Sequence, residues 1–249
     1  MKIGILIPST SKGREWNSYK ETYLYYLTLK TFLITYDQEH TYNFYIGIDK
    51  NDKIYDNEKE KGQLKRFISI MKNVDIEFMY MDGIEKGHLT IMWNRLFKKA
   101  YDDNCDYFFQ CGDDIDFKTK GWVNACIETL KKSNGIGMVG PMNNNAFILT
   151  QSFVSRKHME LFGFYFPEEI INWYCDDWIN EVYKAIGHLY MLHDYTCDNL
   201  GGLPRYDINN NPDFINNFDE NRNKSKEKCM EIVKRDLERI TPILKLHMP

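Results

Sequence analysis

Three carboxylates lie within four consecutive positions of the segment Asp113-Asp114-Ile115-Asp116, which follows the apolar pair Phe108-Phe109. Carboxylates this close repel one another, and the repulsion grows as the site becomes drier, so a cation is their natural partner. Asp oxygens select hard ions such as Mg²⁺ or Mn²⁺, which commonly bridge protein carboxylates to substrate phosphates. The segment therefore predicts a metal site for a phosphate-bearing ligand.

The same acidic segment also has a purely structural interpretation. Asp116 can cap a helix that starts near Lys118, and Asp113 and Asp114 are then solvated turn residues. An EF-hand calcium loop is excluded, because a loop starting at Asp114 would place Ala125 at the twelfth position, where the bidentate acid is required.

Strands and helices alternate along the first half of the chain. Apolar runs predict strands over residues 2–8, 42–49, 75–81 and 107–109, and helical spacing predicts helices over 18–36, 57–72 and 88–101. This alternation is typical of an α/β domain with a mainly parallel sheet, in which ligands bind beyond the carboxyl ends of the strands. We therefore expect Pro8-Ser9-Thr10, Asp49 and residues 113–116 to meet on one rim.

The second half of the chain is less regular. The pattern predicts helices over 122–132, 156–161 and 176–186, strands over 135–140 and 189–192, an irregular loop over 201–217 and a charged amphipathic helix over 220–239.

Composition narrows the classes of protein. The chain has 249 residues, 43% of them hydrophobic, a formal net charge of -4 and no Pro/Gly/Ser-rich linker, so we expect one domain. Acids and bases are interspersed, so no nucleic-acid partner is expected. No apolar stretch approaches the ~20 residues of a membrane span or the core of a signal peptide, and we expect a cytoplasmic protein with reduced cysteines.

The order of several motifs resembles the nucleotide-sugar-dependent glycosyltransferases of the GT-A fold, most closely the family 2 type. The resemblance covers roughly residues 1–195. It rests on Ile7-Pro8-Ser9-Thr10, Ile48-Asp49, Asp113-Asp114-Ile115-Asp116 followed by Phe117 and Gly121-Trp122, and Trp173-Tyr174-Cys175-Asp176-Asp177-Trp178-Ile179. It implies a Rossmann-like three-layer domain with a nucleotide-sugar-binding half (1–117), an acceptor-binding half (118–218) and a C-terminal helix (219–249).

The resemblance assigns the donor side of the site residue by residue. It implies that Pro8, Ser9 and Thr10 line the nucleotide pocket and that Asp49 hydrogen-bonds the base or the ribose. Asp113 or Asp114 would contact the ribose. The metal, Mn²⁺ or Mg²⁺, would bind through Asp114 and Asp116, with His193 as a third ligand. The alternative for His193 is that it is a structural or surface residue. Candidates for neutralising the diphosphate are Arg14 and Arg205, and Arg205 is preferred because its glycine-rich loop is able to close over the donor.

The acid pair Asp176-Asp177 would then supply the general base, a contribution of roughly 10²–10⁴-fold in rate. Family members usually carry Glu-Asp here with the second acid as the base, so we expect Asp177 to act, although the Asp at 176 leaves the choice open. Two acids in the first turn of a helix also complement its dipole, which is the structural alternative. The neighbouring Trp173, Tyr174 and Trp178 are either core residues or a platform for the acceptor.

The function expected from this resemblance is metal-dependent transfer of a sugar from a UDP-sugar to an acceptor hydroxyl, with inversion. Two alternatives stay open. One is a nucleotidyltransferase, although the glycine-rich basic signature after the first strand is only faintly imitated by Ser11-Lys12-Gly13-Arg14. The other is a non-catalytic module that binds nucleotide sugars or glycans. The oligomeric state is open, and the C-terminal helix is able to pack in trans.

Overall fold

A computed structural model describes residues 1–85, 87–145, 147–201 and 218–247. Its strands form one eight-stranded sheet in the order β3-β2-β1-β4-β7-β6-β8-β5. Their bounds are β1 (Lys2–Pro8), β2 (Thr41–Ile48), β3 (Val74–Tyr80), β4 (Tyr107–Gln110), β5 (Ile115–Phe117), β6 (Met138–Met142), β7 (Ser152–Ser155) and β8 (Leu189–Asn199).

The sheet is mixed, so the prediction of a mainly parallel sheet is wrong. Strands β1 to β4 run parallel to one another, as the strand–helix alternation predicts. Beyond β4, however, β7 runs antiparallel to both β4 and β6, and β5 runs antiparallel to β8. The prediction failed because regular alternation ends after β4, and antiparallel neighbours do not need the crossover helix that alternation reveals.

Helices cover both faces of the sheet. They are a π-helix (Leu24–Leu29) that continues into α1 (Lys30–Thr35), followed by α2 (Glu58–Ile68), α3 (Leu89–Asp102), α4 (Trp122–Lys132), α5 (Lys157–Phe162), α6 (Cys175–Ala185) and α7 (Phe218–His247). Side chains of β1 alternate between two core clusters: Ile5 packs with the π-helix, α1 and α4, whereas Leu6 packs with α3 and α6. Burial on both faces explains why β1 is continuously apolar.

Two elements are longer than expected. Strand β8 continues past Leu192 to Asn199: after a register shift it pairs with β6 again at Thr196, and residues 197–199 pair with β5. An apolar run cannot signal this change of partner. Helix α7 reaches His247 with Pro242 inside it and packs against α6 of the same chain. Across the described ranges, no helix combines the length and apolarity that crossing a membrane requires.

Candidate active site

Five of the predicted site residues line one open cavity of about 1000 Å³. Its wall combines the ends of β1 and β4, the start of α6, the end of β8 and one side chain of α7. The predicted residues that line it are Pro8, Thr10, Asp114, Asp176 and Asp177. The two acidic motifs, more than 60 positions apart in the chain, therefore face the same space.

Asp113 ties the end of β4 to the end of β1. Its side chain is fully buried and accepts a hydrogen bond of 2.5 Å from the Ser9 hydroxyl, which is itself buried. The backbone amide of Ser9 also donates to the carbonyl of Gly47 at the end of β2. Ser9 and Asp113 therefore join the two strand ends beneath the cavity, and neither is among the residues that line it. The structural interpretation of Asp113 as a solvated turn residue is wrong, because its side chain is buried.

Asp52 is the organising residue of this rim, and the sequence analysis did not select it. Its buried carboxylate accepts hydrogen bonds from the backbone amide and hydroxyl of Ser11, both at 2.7 Å, and from the Thr10 hydroxyl at 3.1 Å. The amides of Ile54 and Tyr55 donate to it at 3.0 and 2.9 Å. Burial raises the pKa of Asp52, but these hydrogen bonds outweigh it and lower the pKa below its usual value.

Asp49 lies at the end of β2 beside the same loop. Its carboxylate accepts a hydrogen bond of 3.2 Å from the Thr10 hydroxyl and pairs with Lys12 at 2.9 Å. The loop after β1 is thus bound to the loop after β2 through Asp49 and Asp52. Arg14 lies farther out, with its guanidinium 5.6 Å from the ring centre of Tyr23, and it is not among the cavity-lining residues.

The Asp114 carboxylate lies in the cavity wall between two glycines. A methyl group built on Gly201 would collide with the Cβ and carboxyl atoms of Asp114, so this position requires glycine, whereas one built on Gly112 would meet only the end of the carboxylate. The backbone carbonyl of Asp114 accepts a 3.0 Å hydrogen bond from the amide of Leu200, which brings the segment after β8 to the same wall.

The structure does not gather the proposed metal ligands into one cluster. Asp116 lies within β5 opposite Asp198, whose carboxylate pairs with Lys118. His193 is exposed and lies between Leu192 and Thr196, in the stretch of β8 where the register with β6 shifts. Within residues 1–85, 87–145, 147–201 and 218–247, no three His, Cys, Asp or Glu side chains are grouped as a metal site. Asp114 alone still suits Mg²⁺ or Mn²⁺, since such ions often use one carboxylate plus substrate phosphates.

Asp176 and Asp177 occupy the first turn of α6. Burial raises the pKa of Asp176 to about 7, and the charge of the adjacent Asp177 adds to the shift. Burial also raises the pKa of Asp177, helped by Glu181, whereas its own backbone amide, Lys226 and Arg222 lower it. A carboxyl with a pKa of about 7 beside a second one whose pKa is also raised, both at a cavity wall, is an arrangement suited to proton transfer.

The aromatic residues around the acid pair have different roles. Trp178 is fully buried, and its indole N–H donates to the buried Asp236 of α7 at 3.1 Å, so it belongs to the core. Trp173 is 45% exposed, lines the cavity and remains available to a ligand.

The side-chain amide of Asn180, on α6, donates to the carbonyl of Leu149 at 2.8 Å and so attaches the loop before β7 to α6.

No protein-family model matches the sequence, and no curated protein matches it either. Solved structures of S. aureus TarS, a GT-A-type glycosyltransferase, match the fold. The structure of TarS 1-349 in complex with UDP-GlcNAc superposes with a TM-score of 0.54 at 12% identity and covers 82% of this chain. The complex with UDP superposes with a TM-score of 0.52 at 12% identity and covers 80% of this chain. A further TarS structure superposes with a TM-score of 0.52 at 11% identity and covers 79% of this chain. The chain has a GT-A-type glycosyltransferase fold. It spans 60% of the TarS 1-349 chain and 36% of the longer one.

Phe147 and Arg222 are among the cavity-lining residues that the sequence did not indicate as site residues. Phe147, on the loop after β6, is 89% exposed, and Arg222 of α7 donates from Nε to the Tyr174 hydroxyl at 3.2 Å. The helical pattern around Arg222 predicts a helix but not the surface against which it packs. Arg205, the preferred diphosphate ligand, lies outside the described residues.

Proposed function

We propose that the protein is a glycosyltransferase that moves a sugar from a UDP-sugar to an acceptor hydroxyl with inversion at the anomeric carbon. The observation that carries the proposal is the cavity in which Thr10 and Asp114, on the strand ends, face Asp176 and Asp177, on the start of α6. The fold shared with TarS, which has been solved with UDP and with UDP-GlcNAc, supports a nucleotide sugar as the donor.

The donor is proposed to lie against the strand ends. Pro8 and Thr10 line this wall, and Asp49 and Asp52 fix the Thr10 hydroxyl in place. This rigid rim suits recognition of the uridine, because its polar groups are oriented before the ligand arrives. A divalent cation, Mn²⁺ or Mg²⁺, would be held by the Asp114 carboxylate and would supply positive charge to the leaving diphosphate.

The transfer step is proposed to run between the donor wall and α6. The acceptor hydroxyl oxygen forms a bond to the anomeric carbon while the bond from that carbon to the diphosphate oxygen breaks, and UDP leaves. The hydroxyl proton passes to the carboxylate of Asp177. Asp176, with a pKa of about 7, is partly protonated at neutral pH, which limits the repulsion that a second full charge beside Asp177 would cause.

The experiment is a donor panel with product identification. The protein is incubated with UDP-GlcNAc and other nucleotide sugars, with Mn²⁺ or with EDTA, in the presence of simple sugar acceptors. We expect UDP release and a glycosylated acceptor, and UDP binding by calorimetry. Pyrophosphate release from a nucleoside triphosphate and a sugar phosphate would establish a nucleotidyltransferase instead. UDP-sugar binding without turnover of any donor would indicate the binding module.

A further inference from the structure

Helix α7 contacts the segment that carries the acid pair at three positions. Arg222 donates from Nε to the Tyr174 hydroxyl at 3.2 Å, and the Cys229 thiol donates to the Tyr174 carbonyl at 3.5 Å. Asp236 accepts the hydrogen bond of 3.1 Å from the Trp178 indole. These three residues of α7 are spaced seven positions apart, which is two helical turns, so they lie on one face of the helix. This face is therefore applied directly to residues 174–178.

Tyr174 needs such support because of its backbone conformation. It precedes α6 with a φ of 75°, in the left-handed region that side chains other than glycine rarely adopt. A conformation of this kind costs about 1–3 kcal/mol and persists when the surroundings hold it. The bonds from Arg222 and Cys229 restrain Tyr174 at both ends, its side chain and its carbonyl.

The charges that face Asp177 come from two helices. On α6, Glu181 and the adjacent Asp176 oppose its ionisation, and on α7, Lys226 and then Arg222 favour it. Of the two cations, Arg222 lines the cavity together with Asp177 and is anchored by its bond to Tyr174. An anchored guanidinium keeps its charge at a fixed place, whereas an exposed lysine is a mobile point charge.

We propose that Arg222 is a positioning residue for the catalytic base, fixing Tyr174 at the start of α6 and keeping the Asp177 carboxylate ionised. The role of Asp177 as the base rests on the proposed function. With Arg222 in this role, the C-terminal helix is part of the active site. Arg222 thus supplies a positive charge near the acid pair, which neither the segment 113–116 nor the segment 173–179 contains.

The test titrates Asp177 directly. The protein is labelled with ¹³C at the Asp side-chain carboxyls, and the Asp177 signal is assigned by its loss in Asp177→Asn. We expect Arg222→Gln to raise the titration midpoint of Asp177 by about 0.5–1 pH unit and Arg222→Lys to raise it less. The matched control is Lys234→Gln, which removes one exposed positive charge from the same helix about 18 Å farther along and should leave the midpoint unchanged.

Transfer kinetics provide the second readout. The acidic limb of the kcat/KM profile should move to higher pH by the same amount in Arg222→Gln, with the plateau at high pH largely retained. An unmoved Asp177 titration in Arg222→Gln, or an equal shift in Lys234→Gln, overturns the positioning role. If Asp177→Asn abolishes transfer while the Arg222→Gln titration is unmoved, this proposal alone fails. If Asp177→Asn retains transfer, the proposed function itself fails.

Discussion

The carboxylates that support the two walls of the cavity are in opposite electrostatic states. Behind the strand-end wall, Asp52 is buried, but four hydrogen bonds, from the amides of Ser11, Ile54 and Tyr55 and the Ser11 hydroxyl, lower its pKa and stabilise its charge. On the α6 wall, burial and neighbouring acids raise the pKa values of Asp176 and Asp177. The same residue type therefore serves two purposes. Asp52 is a permanent anion that orients loops, whereas the acid pair is held close to the point of accepting a proton.

The difference follows from how each wall is built. Consecutive strand–loop–helix units place the loops after β1 and β2 side by side, so backbone amides are close at hand to satisfy Asp52. The acid pair lies at the start of α6, where the residues that face it come from α6 itself and from α7. Fewer hydrogen bonds reach these carboxyls, and their charge is left to burial and to the cations of α7.

Replacing Asp177 by Asn should have the largest effect on activity. We expect transfer to fall by about 10²–10⁴-fold, because no group would accept the acceptor proton. UDP affinity should stay at its wild-type value and the melting temperature should not fall, since a carboxyl with a raised pKa contributes no favourable charge to folding at neutral pH. Initial rates, calorimetry with UDP and thermal unfolding measure the three quantities. A stable variant with more than a tenth of wild-type transfer would remove Asp177 from the base role.

Replacing Asp52 by Ala should have the opposite profile, with the main loss in stability. We expect the free energy of unfolding to fall by about 3–4 kcal/mol, because four buried or partly buried donors, on Ser11, Ile54 and Tyr55, lose a charged acceptor. UDP affinity should fall as well, since Thr10 loses its anchor. Urea unfolding and UDP calorimetry measure these effects.

The matched control for Asp52 is Asp75→Ala, which removes an exposed carboxylate at the start of β3. It should change stability by less than about 0.5 kcal/mol and leave UDP affinity unchanged. Equal destabilisation by the two substitutions would show that the Asp52 hydrogen bonds add nothing specific to the strand-end wall.

The sequence predicted the parallel part of the fold well, and the reason is local. Residues 2–8 and 42–49 read as apolar strands bounded by turn residues, and the structure has strands over Lys2–Pro8 and Thr41–Ile48. The antiparallel pairings could not be predicted in this way. Pairings such as β7 with β4 and β5 with β8 are determined by contacts between segments far apart in the chain.

The site was predictable to the extent that strand ends determine it. Thr10 and Asp114 follow strands and line the cavity, as that rule requires. Asp52 was not predicted as a site residue. It is the fourth polar residue in the turn Asp49-Lys50-Asn51-Asp52, where an acid is usually solvated, and only the fold shows that it is buried. Arg222 reaches the cavity through the packing of α7 on α6, for which a helical pattern carries no information.

The two walls should also differ in the sign of their pH dependence. The folded pKa of Asp52 is below its unfolded value of about 4, so its stabilisation is present above pH 4 and is lost as the pH falls through the folded pKa. The folded pKa of Asp176 is about 7, above the unfolded value, so stability from this group is full below pH 4 and is lost as the pH rises through 7.

Asp176→Asn tests that sign. The variant should melt higher than the wild type at pH 8, by about 2–6 °C for a gain of about 1–2 kcal/mol, and the difference should shrink steadily towards pH 4. Thermal unfolding from pH 4 to pH 8 measures it. A constant difference across this range would mean that the Asp176 carboxyl titrates normally, and the contrast between the two walls would then rest on Asp177 alone.

The smallest expected effect concerns the mouth of the cavity on the acceptor side. Phe147 is 89% exposed and lines the cavity, as does Trp173, so neither ring is explained by core packing. If these rings carry the acceptor, Phe147→Ala should raise the acceptor KM by about 2- to 10-fold, or about 0.5–1.4 kcal/mol, with kcat and UDP affinity unchanged. Ile70→Ala, at an exposed apolar residue away from the cavity lining, is the control and should leave every parameter at its wild-type value. A rise in the KM for the UDP-sugar in Phe147→Ala, with an unchanged acceptor KM, would place the donor sugar against this ring and reverse the assignment of the two walls.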